Sequence, residues 1–237
     1  MMRLVEKALG FVVGAVFLWL IFVGAYAFID ERVVVASSQL GQDIREIAEA
    51  MKTEEGNPLD GLKEINDEII GWVTIDGTRI DQPIMQARDN KKYLTRDYTG
   101  GFGNGGGAFV DYRNNGLEDE FSVVYGHRMK DGIMFSDITL FSDKEYFEAH
   151  QTGTVYTEHG KYSAEVVGFA VLDVATTEIY DIERFRGDSF AAYRAISFVY
   201  KSEVGVGPGD KLVLLSTCDR DARAKRDILL LKLSRYS

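Results

Sequence analysis

The sequence holds a single cysteine, Cys218, at the end of the apolar run Lys211-Leu-Val-Leu-Leu-Ser-Thr-Cys218. A charged connector, Asp219 to Arg226, separates it from a second apolar run, Asp227-Ile-Leu-Leu-Leu-Lys-Leu233. Both runs have strand length, which places the thiol at a strand end. A thiol attacks an acyl carbon as its thiolate, so the neighbours that matter are those that lower its pKa or compensate its charge: a histidine, an arginine or backbone N–H groups. The connector supplies Arg220, Arg223 and Arg226, and only Arg226 leads directly into the second run. It therefore opens that strand beside the end of the first. The competing reading is an inert buried thiol with a solvated arginine loop, the commoner fate of a lone cysteine.

Three histidines are candidates for its partner. His150 closes a charged stretch with Lys144, Glu145 and Glu148, and His159 precedes Gly160 in a turn, so both read as surface residues. His127 ends the apolar run Phe121-Ser-Val-Val-Tyr-Gly-His127, where a strand end aims a side chain into a groove. No pair at C-x-x-C or i,i+4 spacing supports zinc, and Ser216 lacks the G-x-S-x-G elbow of a serine hydrolase. Gly101, Gly103 and Gly106 form a nominal G-x-G-x-x-G, but the run that follows, Ala108 to Tyr112, reads as a strand rather than a phosphate-facing helix. That stretch is assigned to a flexible loop.

The elements that must position these residues follow from the rest of the chain. With 237 residues and 46% hydrophobic content it can bury one substantial core, and a net charge of −10 without a basic patch excludes nucleic acid as a partner. Ala8 to Ile29 carries no charge over 22 positions, about 33 Å as helix and enough to cross a bilayer. Arg3 and Lys7 precede it while Asp30 and Glu31 follow, which predicts a cytoplasmic N-terminus and an external remainder. The alternative, a cleaved signal peptide with Ala25-Tyr-Ala27 as its site, requires a shorter apolar run. A lone cysteine outside the cytoplasm has no internal disulfide partner, which leans toward a thiol in use.

Beyond the anchor, Ala36 to Lys52 places Leu40, Ile44, Ile47, Ala48 and Met51 on one helical stripe, and Leu59 to Asp67 suits a second short helix after a break at Thr53 to Pro58. Ile69–Ile75 and Thr78–Ile84 flank Asp76-Gly77, the signature of a hairpin with a tight two-residue turn. Asp89 to Leu94 is a loop or helical turn, Met134 to Phe141 a brief helix, and Thr154–Thr157 and Lys161–Asp173 are strands. Thr176 to Arg186 is an irregular connection, and Asp188 caps a helix reaching to Tyr200. Short strands without βαβ alternation imply a mostly antiparallel barrel or sandwich.

Leu215-Ser-Thr-Cys218, Tyr125-Gly-His127, Arg226 at the start of the last strand and Asn66–Trp72 running into Gly77-Thr78 together resemble the class B sortases, membrane-anchored transpeptidases of Gram-positive bacteria. Gln86 to Leu94, Asp111-Tyr-Arg-Asn114 and Met134-Phe135 add to the resemblance, which covers Leu59 to Leu233. One departure is Leu214, where the family signature Thr-Leu-x-Thr-Cys has threonine; inside a strand this bears on packing.

The resemblance implies a mostly β fold, an eight-stranded sortase-type β-barrel with N-terminal helices and a few short peripheral ones. It divides the chain into a cytoplasmic N-terminus (1–7), a transmembrane anchor (8–29), an amphipathic helix and linker (30–58) and a catalytic domain (59–237). It further implies that Cys218 attacks the threonine carbonyl of a sorting motif (NPQTN or NPxTG type), that His127 protonates the leaving amine, and that Arg226 stabilises the oxyanion or positions the peptide. Asn90, Leu94, Tyr125, Tyr180 and Ser216 match positions lining the peptide groove, although Leu94 and Tyr125 also suit a core and Asn90 a turn cap. The implied partners are surface proteins bearing sorting signals and an amine from a peptidoglycan precursor or another protein; no cofactor or metal is called for. A pilin polymerase using a lysine nucleophile, and an anchored binding module without turnover, are the alternative functions.

Overall fold

The computed structural model describes residues 2–38, 42–51, 57, 59–103, 105–127, 134–218 and 225–236. The chain divides into two compact units, residues 1–36 and 37–237. The first consists of most of helix α1 (Met2–Ser38). Within it Gly10–Phe28 is long and apolar enough to cross a membrane, with mean hydropathy 2.4 and side chains such as Phe11, Phe17 and Phe22 bare on its surface.

The second unit begins with two short helices, α2 (Gln42–Met51) and α3 (Leu59–Ile65). The expected apolar stripe of α2 packs inward through Ile44 and Ala48, which meet Leu59 and Leu62 of α3. Asn57 starts α3 by accepting the Leu59 N–H at 3.1 Å while its Nδ2 donates to the Thr157 carbonyl at 2.7 Å, which ties the helix to the sheet.

Among the described residues nine strands follow: β1 (Ile69–Ile75), β2 (Asp81–Met85), β3 (Ala108–Val110), β4 (Phe121–His127), β5 (Thr152–Thr157), β6 (Gly160–Asp173), β7 (Tyr200–Lys201), β8 (Lys211–Cys218) and β9 (Lys225–Arg235). They hydrogen-bond in the order β5-β1-β2-β3-β4-β8-β9-β6, and a β5–β6 pairing closes these eight into a barrel. The two-residue β7 pairs with β6 outside the ring. Most pairs are antiparallel, as expected, but β2–β3 and β4–β8 are parallel.

Alternation along the strands builds two kinds of core. Val73, Ile84, Val110, Val124, Val155, Val166, Leu215 and Leu229, one from each barrel strand, are buried together, so this cluster fills the interior; Phe135, Ile138 and Phe141 of a 3₁₀ segment (Phe135–Ser142) join it. The outward residues are covered twice. Phe121, Val123, Leu212, Leu214, Ile228 and Leu230 pack under Ile179, Ile182, Phe185 and Ile196 of the connection after β6. Trp72, Met85 and Phe109 pack under α2, α3 and Tyr93. Leu214, where the signature residue differs, is wholly buried in the first of these covers.

Two elements differ from the sequence expectation. The β1–β2 hairpin has no two-residue turn: Ile75 and Ile80 are joined by the Ile75 N–H bond, Thr78 N–H donates to the Ile75 carbonyl, and only Gly77 has positive φ, +74°. Asp137 explains the longer loop, because this buried carboxylate accepts from Arg79 N–H at 2.8 Å and from its guanidinium, drawing Arg79 out of the strand. The helix capped by Asp188 is confined to α5 (Ser189–Arg194), since Tyr200 pairs with Phe169 as strand instead.

Candidate active site

The three residues singled out for chemistry lie on three adjacent strands. In the parallel β4–β8 ladder Tyr125 pairs with Ser216, Gly126 with Thr217, and His127 with Cys218. In the antiparallel β8–β9 ladder Ser216 pairs with Ile228. One step on, Thr217 Oγ1 accepts from Asp227 N–H at 3.1 Å and donates to the Asp227 carbonyl at 3.2 Å, fastening the strand ends. The ladder itself ends at Ser216–Ile228; Arg226 lies two residues before Ile228 on β9, as Cys218 lies two residues after Ser216 on β8, which brings His127, Cys218 and Arg226 to the same end of three neighbouring strands. Two residues back along each strand, Tyr125, Ser216 and Ile228 form one paired row. Period-two alternation puts Tyr125, His127, Ser216 and Ile228 on the outward face of the barrel, because Val124, Leu215 and Leu229 fill its interior.

His127 is 7% exposed and its ring is held from two sides. Nε2 lies 2.9 Å from the Leu94 carbonyl. A carbonyl only accepts, so Nε2 carries the hydrogen of this bond. The Leu94 carbonyl is fixed in turn: ahead of the 3₁₀ turn Lys92–Leu94, Asp89 accepts from Lys91 and Lys92 N–H at 2.7 and 3.0 Å, and Leu94 N–H donates to the Lys91 carbonyl. On the other side Gly106, at φ +63°, faces the ring so closely that a Cβ there would sit 2.5 Å from His127 Cδ2 and 2.6 Å from the Tyr93 carbonyl oxygen. Gly103 and Gly107 N–H groups donate to Thr95 and Tyr93. Within the glycine-rich loop Gly103, Gly106 and Gly107 are buried and form a packed cradle, and the loop leads into β3 as the sequence indicated.

The groove candidates gather one row back, around Asp111, which is fully buried. Its carboxylate accepts from Asn90 Nδ2 at 2.8 Å, from the Tyr125 hydroxyl at 2.9 Å and from Arg113 through Nε and Nη2, both at 2.9 Å. Asn90 Oδ1 accepts from Tyr112 N–H at 2.9 Å. Tyr180 lies with its ring 6.0 Å from that of Tyr125, and its hydroxyl is 2.9 Å from the Oγ of Ser216, itself wholly buried. Leu94 is half-buried beside Tyr125 and meets His127 through its backbone. Burial raises the Asp111 pKa, but the hydrogen bonds of Arg113, Asn90 and Tyr125 outweigh it and hold the carboxyl below its ordinary value. Burial and the adjacent Asp111 charge push the Tyr125 phenol well up, so its hydroxyl keeps its proton.

The other histidines stand apart. His159 is exposed, as expected, near Glu118. His150 is half-buried rather than solvated, stacked on Tyr146 at 3.9 Å with Nδ1 2.7 Å from the Tyr146 carbonyl. Among the described residues no three His, Cys, Asp or Glu side chains cluster to hold a metal ion. Residue types alone did not single out the Leu94 carbonyl or Gly106, since neither offers a reactive side chain. Asp111 and Arg113 carried a signal, an acid directly after an apolar strand with an arginine two residues on, that was given no role.

No protein-family model matches the sequence. Among curated proteins the chain is 39% identical to sortase B of Listeria monocytogenes over 169 residues, 69% of this chain and 68% of that one. It is 28% identical to sortase B of Staphylococcus aureus over 187 residues, 76% and 75% of the two chains. Among solved structures, a Bacillus anthracis protein described as similar to sortase B superposes with TM-score 0.69 at 33% identity, covering 89% of this chain and 98% of that one. A closed eight-stranded barrel, a cysteine paired in register with a histidine, and this likeness over more than two thirds of the Listeria protein place the chain in the sortase B family, as a sortase-type cysteine transpeptidase.

Proposed function

We infer that the chain cleaves a C-terminal sorting motif of NPQTN or NPxTG type after threonine and transfers the threonine carbonyl to a cell-wall amine. The observation that carries this reading is the pairing of His127 with Cys218 in the β4–β8 ladder, with Arg226 near the start of the neighbouring strand β9. In the first half-reaction the Cys218 thiolate attacks the threonine carbonyl carbon, and the electron pair of the C=O bond moves to oxygen. Arg226 offers guanidinium N–H donors to that oxyanion, the largest single contribution available in such a site. The C–N bond then breaks as the His127 imidazolium gives a proton to the departing amine, which leaves a thioester. In the second half, an incoming amine loses its proton to His127 and attacks the thioester, and the thiolate is released.

Residues 8–29 would hold this domain at the cell membrane, with residues 1–7 cytoplasmic and 59–237 outside, an orientation supported by Arg3 and Lys7 against Asp30 and Glu31. The test uses the full chain in detergent micelles with fluorogenic NPQTN, NPKTG and LPXTG peptides. Cleavage of at least one is expected, with a thioester adduct detected by mass and no cleavage in Cys218→Ala. Neither cleavage nor adduct in the wild-type chain would leave only an anchored binding module. Added cell-wall peptide amines and lysine-bearing proteins, compared by the mass of the ligated product, separate wall anchoring from polymerisation.

A further inference from the structure

Three stretches far apart in sequence converge on the buried carboxylate of Asp111: the turn holding Asn90, strand β4 at Tyr125, and the connection after β6 that carries Tyr180. The third is reached through Arg113. Its Nη2 donates to Asp111 and also, at 2.8 Å, to the Tyr180 carbonyl, while Arg186 Nη2 donates to the Arg113 carbonyl at 2.8 Å. Asp111 additionally accepts the Arg113 N–H at 3.0 Å.

Hydrogen-bond arithmetic gives this cluster a direction. An ionised carboxylate only accepts. Tyr125 has one hydroxyl hydrogen, and it is spent on Asp111, so the phenolic oxygen offers only lone pairs to anything else. Asn90 must turn Nδ2 toward Asp111 and Oδ1 toward Tyr112 N–H, which removes the usual freedom of the amide to flip. A neutral group at position 111 would donate as well as accept and would release both constraints.

We propose that Asp111, acting with Arg113, is a positioning residue of the peptide groove: it sets the hydrogen-bond polarity that Tyr125 and Asn90 present and holds the Tyr180 segment against them, without touching substrate. This rests on the sorting-peptide reading above, in that the groove it organises is the one ascribed to the substrate.

The experiment compares wild type, Asp111→Asn and Arg113→Lys, each as the full chain in micelles, by two measurements. The first needs no substrate. Amide hydrogen exchange in residues 86–94 and 176–188 is expected to quicken in Asp111→Asn, and in 176–188 alone in Arg113→Lys, which keeps the counter-charge but lacks the second arm; β4 stays protected in both. The second is steady-state cleavage of the peptide that the wild type processes fastest. Asp111→Asn should raise KM about tenfold, the effect of losing one or two charge-assisted hydrogen bonds, with kcat held within about threefold. The rate of Cys218 alkylation by iodoacetamide should not change, because the pairing of His127 with Cys218 is intact.

Unchanged exchange in 176–188, or a loss confined to kcat, would overturn the proposal. If Asp111→Asn fails to fold, Arg113→Lys carries the same test, and KM unchanged alongside quickened exchange would reduce the cluster to a structural brace and overturn it. If the wild type cleaves no peptide, the sorting-peptide reading fails first, and exchange alone decides whether Asp111 holds these segments.

Discussion

Replacing Gly106 with alanine adds one methyl group at the place where the cradle meets His127. Two costs are readable from the geometry. The residue sits at φ +63°, where an L side chain costs about 1–2 kcal/mol. The new Cβ would fall 2.5 Å from His127 Cδ2 and 2.6 Å from the Tyr93 carbonyl oxygen. The second contact is backbone and cannot swing aside, so the ring must move, at a further cost of about 1–3 kcal/mol for overpacking. The sum is about 2–5 kcal/mol in stability. A displacement of about 1 Å in a proton-transferring group costs on the order of a hundredfold in rate. Gly100→Ala is the matched control: it has φ +79° and nothing within 4 Å, so it bears only the backbone cost and should leave kcat/KM alone. Thermal unfolding in micelles and peptide cleavage measure both variants. Should Gly106→Ala keep kcat/KM within about threefold of wild type, or Gly100→Ala lose as much, the argument that this glycine seats the histidine would be wrong.

Three further outcomes are expected. Thr217→Val removes the hydroxyl that bridges Asp227 N–H and C=O; it should cost about 1–3 kcal/mol in thermal unfolding and slow alkylation of Cys218 and peptide cleavage together, by loosening the seam between the ends of β8 and β9. Arg226→Lys keeps the charge but loses the planar fork, and kcat should fall about a hundredfold with KM little changed, measured with the same peptides. In acid, Asp111 has a folded pKa below the ordinary 3.8, so its stabilisation is complete above that value and is lost as pH falls through the lower folded one. The difference in urea midpoint between wild type and Asp111→Asn should therefore be constant from neutral pH down to about 5 and shrink below about 4.

Individual strands were legible because their residues announce them. Phe121–His127 and Lys211–Cys218 are apolar runs with abrupt ends, and the structure gives strands with those same bounds. Which strands lie side by side was not legible from the runs themselves: β4 and β8 pair in parallel across the whole β5–β7 excursion, and only the family resemblance anticipated the closed barrel. Misjudged details trace to long-range partners. Arg79 leaves its strand for Asp137, 58 residues away, and Tyr200 leaves its helix for Phe169. The glycine-rich stretch concealed its contact for another reason: glycine marks both loops and close approaches, and only the ring of His127 above Gly106 shows the second. Leu94 drew attention for its side chain, whereas the bond to His127 comes from its carbonyl, a group every residue possesses.

Odd and even positions of β4, β8 and β9 answer to different requirements: one set fills the barrel, while the other lies under the connection after β6 for much of its length and reaches the candidate site only near the strand ends. Refilling the barrel's hydrocarbon interior, at Val124, Leu215 or Leu229, is thus separable from changing the outward positions Tyr125 and Ser216. Substitution is modular in such an architecture, whereas a single inserted or deleted residue within β8 is not: it would exchange the two sets at once, turning interior side chains outward and outward ones toward the oily centre.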